Sequence, residues 1–316
     1  MVNKGSFRNS ILLFLAAFIW GVAFVSQSKG MEYMGPFTFN GVRSLIGAIV
    51  LIPVILFRYR VPKGQPGLWQ AVNWKTTLIG GICCGLALMI ATTVQQIGIM
   101  YTTVGKAGFI TALYIIFVPI FGIFIGKKVP GTVWIGAIMA AIGMYLLCIQ
   151  GSFRIGIGDT LIFICAVVFT LHILIIDHFS PKTDGVILSC IQFLVCGIIC
   201  TTIALITESP DFSQLIDGAV PILYAGVMSC GVAYTLQIVG QKRVNPTVAA
   251  VILSLESVFS VLAGWFAYKI GFLKSDQTLT GRQILGCAIV FVAVILVQLP
   301  VKELIGKIKD KISQDT

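Results

Sequence analysis

Residues 91–127 recur 142 positions later, in the same order. Gln95 returns as Gln237, Gly98 as Gly240, Ala107 as Ala249 and Gly122 as Gly264. Ala91/Ala233, Thr93/Thr235, Ile110/Ile252, Leu113/Leu255, Phe117/Phe259, Phe124/Phe266 and Lys127/Lys269 keep the same spacing. Both copies lie in strongly apolar sequence. An internal repeat in a membrane-spanning chain points to two halves that enclose one ligand site and expose it alternately to either side.

The membrane assignment rests on composition. Of 316 residues, 57% are hydrophobic and 11% charged, whereas a soluble domain carries roughly 25% charged residues. Ten apolar segments approach the length of about 20 residues that a bilayer-spanning helix needs: 10–28, 37–57, 76–98, 104–126, 131–149, 157–177, 185–206, 218–240, 246–269 and 281–299. The expected fold is therefore an all-α membrane protein of ten transmembrane helices. The first segment follows Lys4 and Arg8 but ends in Ser26-Gln27-Ser28-Lys29, with no small-x-small site before it. It is expected to remain as a helix rather than be cleaved as a signal peptide.

The net charge of +10 reads as membrane topology and not as a nucleic-acid partner. Arg58, Lys75, Lys127, Lys182, Lys242 and Arg243 fall between segments on one side, with the lysines of the C-terminus. Lys29, Lys106, Lys269 and Arg282 fall on the other. The more basic side faces the cytoplasm, which places both termini there in a protein of the cell membrane. Residues 300–316 alternate Leu304, Ile305 and Ile308 with lysines and read as an amphipathic helix on the inner leaflet. Trp69 and Trp74 suit the aromatic belt at the interface. The nine cysteines all lie in apolar segments without a CxxC pair. They read as small hydrophobes, so neither a metal site nor a cofactor is expected.

A second, weaker register of 149 relates the helices before the repeat: Leu12/Leu161, Ala17/Ala166, Leu45/Leu194 and Ile49/Ile198, with Trp20 opposite Phe169 and Arg43 opposite Gln192. Two five-helix units follow, 1–150 and 157–299. Five is odd, so the second unit starts on the opposite face of the membrane. Inverted units of this kind alternate access to a site near the midplane.

Polar groups at that depth are the candidate ligand residues. A charged side chain at a helix centre costs roughly 2.5–3.5 kcal/mol on insertion scales. Glu256 is either a neutral structural acid or the group that carries a proton or meets a cationic substrate. Arg43 is either salt-bridged structure or a fork for a substrate anion. His172 is either a satisfied structural histidine or a proton relay, since imidazole titrates near neutral pH. Gln95 shares a helix face with Thr92 and Gln96. Tyr234 and Gln237 share one with Gln241, and Thr111 shares one with Tyr114. Unpaired amides are costly against lipid, so these stripes face the bundle interior and suit a polar organic ligand. Trp20, mid-segment, can stack on an aromatic or cationic one. Across the repeat Glu256 falls opposite Tyr114.

Phe18-Ile19-Trp20-Gly21, Pro36 with Arg43, Gly231-Val232-Ala233-Tyr234 through Gly240, and Leu255-Glu256-Ser257-Val258-Phe259 resemble the drug/metabolite transporter superfamily, in its EamA-type branch. The resemblance extends to about residue 299. It implies an inverted-repeat fold, a central cavity and secondary transport of small metabolites, often export. Three positions depart from the family pattern: Ser257 where proline often follows the glutamate, and Lys127 and Lys269 where an acidic residue is frequent. The expected function is secondary active transport of a small polar metabolite, an amino acid or similar compound, with export the expected direction. The mixture of Arg43, Glu256, amides and Trp20 suits a zwitterion. The alternative is a proton-coupled multidrug or organic-cation exporter. A membrane-embedded enzyme would need paired acids or metal ligands, and only His172 and Glu256 qualify. No ring of charges or filter-like loop supports a channel, and no GxxxxGK[ST] motif supports direct ATP drive.

Overall fold

The computed structural model describes residues 4–59, 72–127, 129–148, 155–273 and 280–298. The amphipathic reading of 300–316 and the placement of Trp69 lie outside them. All regular structure among the described residues is helical, as lipid requires, because helices satisfy every backbone group within the segment. In chain order the main helices are α1 (Lys4–Gly30), α2 (Pro36–Arg58), α3 (Trp74–Ile99), α4 (Val104–Phe124), α5 (Gly131–Cys148), α6 (Ile157–Phe179), α7 (Gly185–Thr207), α8 (Ala219–Gln241), α9 (Pro246–Lys269) and α10 (Gly281–Gln298). Eight of them are long and apolar enough to cross a membrane. The apolar stretches 131–146 and 281–297, in α5 and α10, are shorter. Large apolar side chains cover the outside, with Phe124 84% and Ile206 77% exposed, which suits lipid and not water.

Local chemistry fixes the helix starts. Pro36 and Pro246 occupy the first turns of α2 and α9, where a missing N–H costs nothing. Thr103 accepts from Lys106 N at 3.3 Å and Asn245 from Thr247 N at 2.9 Å, capping α4 and α9 at positions related by the 142-residue offset. The starts of α2 and α7 are capped by carboxylates on equivalent backbone groups. Glu208, at the end of α7, accepts from Phe37 N at 2.9 Å and Thr38 N at 2.7 Å. Asp184 accepts from Val186 N at 2.9 Å and Ile187 N at 3.2 Å. Asp184 is tied back to the end of α2 by Arg58 at 3.2 Å and the Tyr59 hydroxyl at 3.1 Å.

The packing maps onto itself when the two halves are exchanged. Helix α1 packs on α8 and α9, and α6 packs on α3 and α4, while α2 pairs with α7 and α5 with α10. Single residues repeat the pattern. A Cβ on Gly98 would fall 2.7 Å from Ile162 Cδ1 and 3.1 Å from Gly158 O. One on Gly240 would fall 2.9 Å from Leu13 Cδ2 and 3.1 Å from Asn9 O. Leu13 and Asn9 stand 149 residues before Ile162 and Gly158. Small residues let membrane helices approach this closely. Valine at Gly98 or Gly240 is therefore expected to lower stability by about 1–3 kcal/mol through overpacking. Thermal unfolding in detergent checks this, with Gly131→Ala as a neutral control, since nothing lies within 4 Å of where a Cβ on Gly131 would stand.

Two interruptions depart from a plain succession of ten helices. Helices α4 and α9 each break at mid-length, α4 after Thr111 and α9 after Leu253, and restart at Tyr114 and Glu256. The breaks are tight i→i−3 turns: Leu113 N to Ile110 O and Leu255 N to Ile252 O, both 3.2 Å. They occupy the same place in the repeat. In α8, Tyr224–Tyr234 is π-helical, whereas the equivalent stretch 82–92 of α3 is ordinary α-helix.

Candidate functional site

A cavity of about 30 Å³ lies among α1, α2, α3, α4, α6, α8 and α9. Eight of the nine residues singled out from sequence line it: Trp20, Arg43, Gln95, Thr111, Tyr114, Tyr234, Gln237 and Glu256. Such a volume holds one or two waters. Admitting a metabolite therefore requires the helices to move.

The lining follows the repeat. Trp20/Phe169, Phe24/Ile173, Gln95/Gln237, Thr111/Leu253 and Tyr114/Glu256 are related pairs, and they account for ten of the fourteen lining residues. Gln27, Arg43, Ser229 and Tyr234 line the cavity without their counterparts. The helix breaks set the depth of one pair: Tyr114 and Glu256 are the first residues of the second half of α4 and of α9.

Glu256 is 4% exposed and borders the cavity with Tyr114, and among the described residues neither its Oε1 nor the Tyr114 hydroxyl has a hydrogen-bond partner by geometry. Arg43 is 3% exposed. Its guanidinium sits 5.4 Å from the Phe39 ring centre, and its Nε has no hydrogen-bond partner among the described residues. Among the described residues no ion pair joins Arg43 to Glu256, or either to another group. Two buried ionisable residues of opposite type, one from each half, thus face one small space with no ion pair among the described residues. Such groups are costly to bury alone and suit a ligand that supplies both partners.

The neutral groups frame them. Gln95 Nε2 donates to Thr111 Oγ1 at 3.1 Å, and Gln237 Oε1 has no partner among the described residues. Gln96 and Gln241 turn away and donate to the carbonyls of Gln27 and Ile173. Trp20 meets Tyr234 edge-on at 4.6 Å between ring centres. Trp74 stands at the start of α3, away from this cavity.

His172 does not line the cavity, which corrects the expectation that it does. Its ring lies behind Tyr234 at 6.0 Å, fully buried, with Nε2 3.1 Å from Gln192 Oε1. Helical spacing gives a residue's depth, but only packing decides its angular position. Gln192 is the repeat counterpart of Arg43. The first half sends a guanidinium into the cavity, and the second sends an amide to His172. Sequence reasoning missed Phe24, Gln27, Phe169, Ile173, Ser229 and Leu253 as lining residues. Projecting Trp20 and Thr111 through the repeat finds Phe169 and Leu253. Ser229 gives no such signal.

A larger groove of about 670 Å³ lies between α4, α5 and α6. It is mainly apolar, and its charged residues already satisfy each other: Lys106 reaches Asp159 at 2.9 Å, and Asp159 accepts from Thr102 at 2.7 Å. Among the described residues no group of His, Cys, Asp or Glu could hold a metal ion.

The sequence matches the EamA-like transporter family twice, over residues 8–149 and 156–299. An uncharacterized transporter of Archaeoglobus fulgidus is 31% identical over 290 residues, covering 92% of this chain and 85% of that protein. The uncharacterized transporter YoaV of Bacillus subtilis is 23% identical, covering 86% and 90%. A WAT1-related chloroplastic protein of Arabidopsis thaliana is 22% identical, covering 94% and 71%. A solved crystal structure superposes with a TM-score of 0.71 at 18% identity, covering 94% of this chain and 98% of the other, a likeness of fold. The chain is a multi-pass membrane protein that belongs to the EamA-like transporter family, a transporter rather than an enzyme.

Proposed function

We propose that this protein is a secondary active transporter of a small zwitterion, an amino acid or a close analogue, working by alternating access and in the direction of export. All ten main helices cross the cell membrane in this reading, as two inverted five-helix units with both termini in the cytoplasm. One observation carries the substrate class: Arg43 and Glu256 face the same cavity without pairing to each other. A carboxylate against the Arg43 fork and an ammonium against Glu256 would satisfy both. Gln95, Gln237 and Thr111 supply the remaining hydrogen bonds. Glu256, at a helix break on the cavity, is also the group placed to carry a coupling proton, and His172 acts through Tyr234 rather than on the substrate.

The rival reading is proton-coupled export of organic cations. Trp20, Phe24, Phe169 and Tyr234 beside Glu256 would suit a flat aromatic cation. A thermal-shift screen of purified protein separates the two, because a ligand that binds the native state raises its melting temperature. Stabilisation by amino acids and not by simple amines supports the zwitterion. Stabilisation only by aromatic cations overturns it in favour of the rival.

A further inference from the structure

The cavity residues without a repeat counterpart on the cavity point to how a substrate is oriented. Ser229 and Tyr234 both belong to the π-helical stretch of α8, and their counterparts in α3, Ala87 and Thr92, do not line the cavity. On an α-helix, residues five apart lie about 140° from each other. The i→i+5 bonding of a π-helix stacks them on one face. The π stretch therefore turns two hydroxyls into the cavity where α3, with ordinary helical geometry, presents neither.

The same stretch is seated against α2 at the level of Arg43. A Cβ on Gly226 would lie 3.1 Å from Arg43 O and 2.7 Å from Ile46 Cβ, so only glycine lets the two backbones approach this closely. Tyr234 and Arg43 border the same small cavity. Ser229 is 2% and Tyr234 6% exposed, and both border the cavity.

We infer that Ser229 and Tyr234, brought together by the π turn, complete with Arg43 an anion subsite that takes the carboxylate of the substrate. The inference rests on the zwitterion reading above and adds a direction to it. With its carboxylate held at this subsite and its ammonium at Glu256, the substrate binds in one orientation only, although the helices around it are related by a two-fold repeat. Ser229 and Tyr234 are specificity residues: they distinguish an amino acid from the amine that remains when its carboxylate is removed.

The test uses full-length protein in detergent and two matched probe pairs: leucine with isoamylamine, and phenylalanine with phenethylamine. Dissociation constants are measured by calorimetry for the parent, Ser229→Ala and Tyr234→Phe. Each variant is expected to bind the amino acids about tenfold or more weakly, as loss of a hydrogen bond to a charged group implies, and to bind the amines as the parent does. Weakening of amino acid and amine alike would make the hydroxyls structural and overturn the subsite, as would full retention of the parent's preference. If the parent itself binds the amines as well as the amino acids, or binds none of the four, the zwitterion reading fails and the subsite fails with it.

Discussion

Glu256→Gln is expected to abolish substrate-dependent stabilisation and transport while leaving the fold at least as stable as the parent. Glutamine keeps the shape of the side chain and removes its charge. The carboxyl is 4% exposed and its Oε1 has no partner among the described residues, and an acid buried without a partner is destabilising whether neutral or charged. Removing it should therefore hold or raise the melting temperature of the ligand-free protein. A substrate ammonium would lose a charge-assisted bond of about 1.5–3 kcal/mol, which weakens binding by roughly 10–100-fold. The opposite movement of the two readouts separates a binding role from a structural one. A structural acid would lower the melting temperature and leave ligand shifts intact.

Arg43→Met tests the other charge. Methionine retains an apolar stem against Phe39, whose ring now faces the guanidinium at 5.4 Å, and removes the fork. Amino acids should again bind roughly 10–100-fold more weakly, while decarboxylated amines keep their affinity. Arg43→Lys should recover only part of the loss, because an ammonium cannot make the planar two-point contact. If lysine recovers parental affinity, the carboxylate is not held by a fork. The two substitutions leave opposite net charge in the cavity, so organic cations should bind better to Arg43→Met than to the parent, and worse to Glu256→Gln.

The repeat makes most of the architecture legible from sequence. Gln95/Gln237 and Gly98/Gly240 fix the register, and that register relates the helix breaks, the caps at Thr103 and Asn245, and the close contacts beneath both glycines. The breaks themselves are not legible. Ala112, Leu113, Ser254 and Leu255 include neither glycine nor proline, and a tight turn there is imposed by packing. The π turn is equally hidden, since no residue of Tyr224–Tyr234 by itself specifies i→i+5 bonding, and the equivalent stretch of α3 is α-helical. Ser229 therefore carries no sequence signal, and helical spacing puts His172 one layer too close to the cavity. The unlike chemistry of Tyr114 and Glu256 is visible through the repeat. That both border one space with Arg43 requires the folded chain.

Counterflow in proteoliposomes tests the central claim most directly. Vesicles containing the protein are loaded with unlabelled leucine or phenylalanine, and uptake of the labelled compound is followed against empty vesicles. A carrier that exposes one site alternately exchanges faster than it moves net substrate, so preloading should accelerate uptake in the parent and have no effect in Glu256→Gln or Arg43→Met. Uptake that is unsaturable and indifferent to preloading would contradict alternating access at this cavity. Acceleration that survives both substitutions would contradict the assignment of the site.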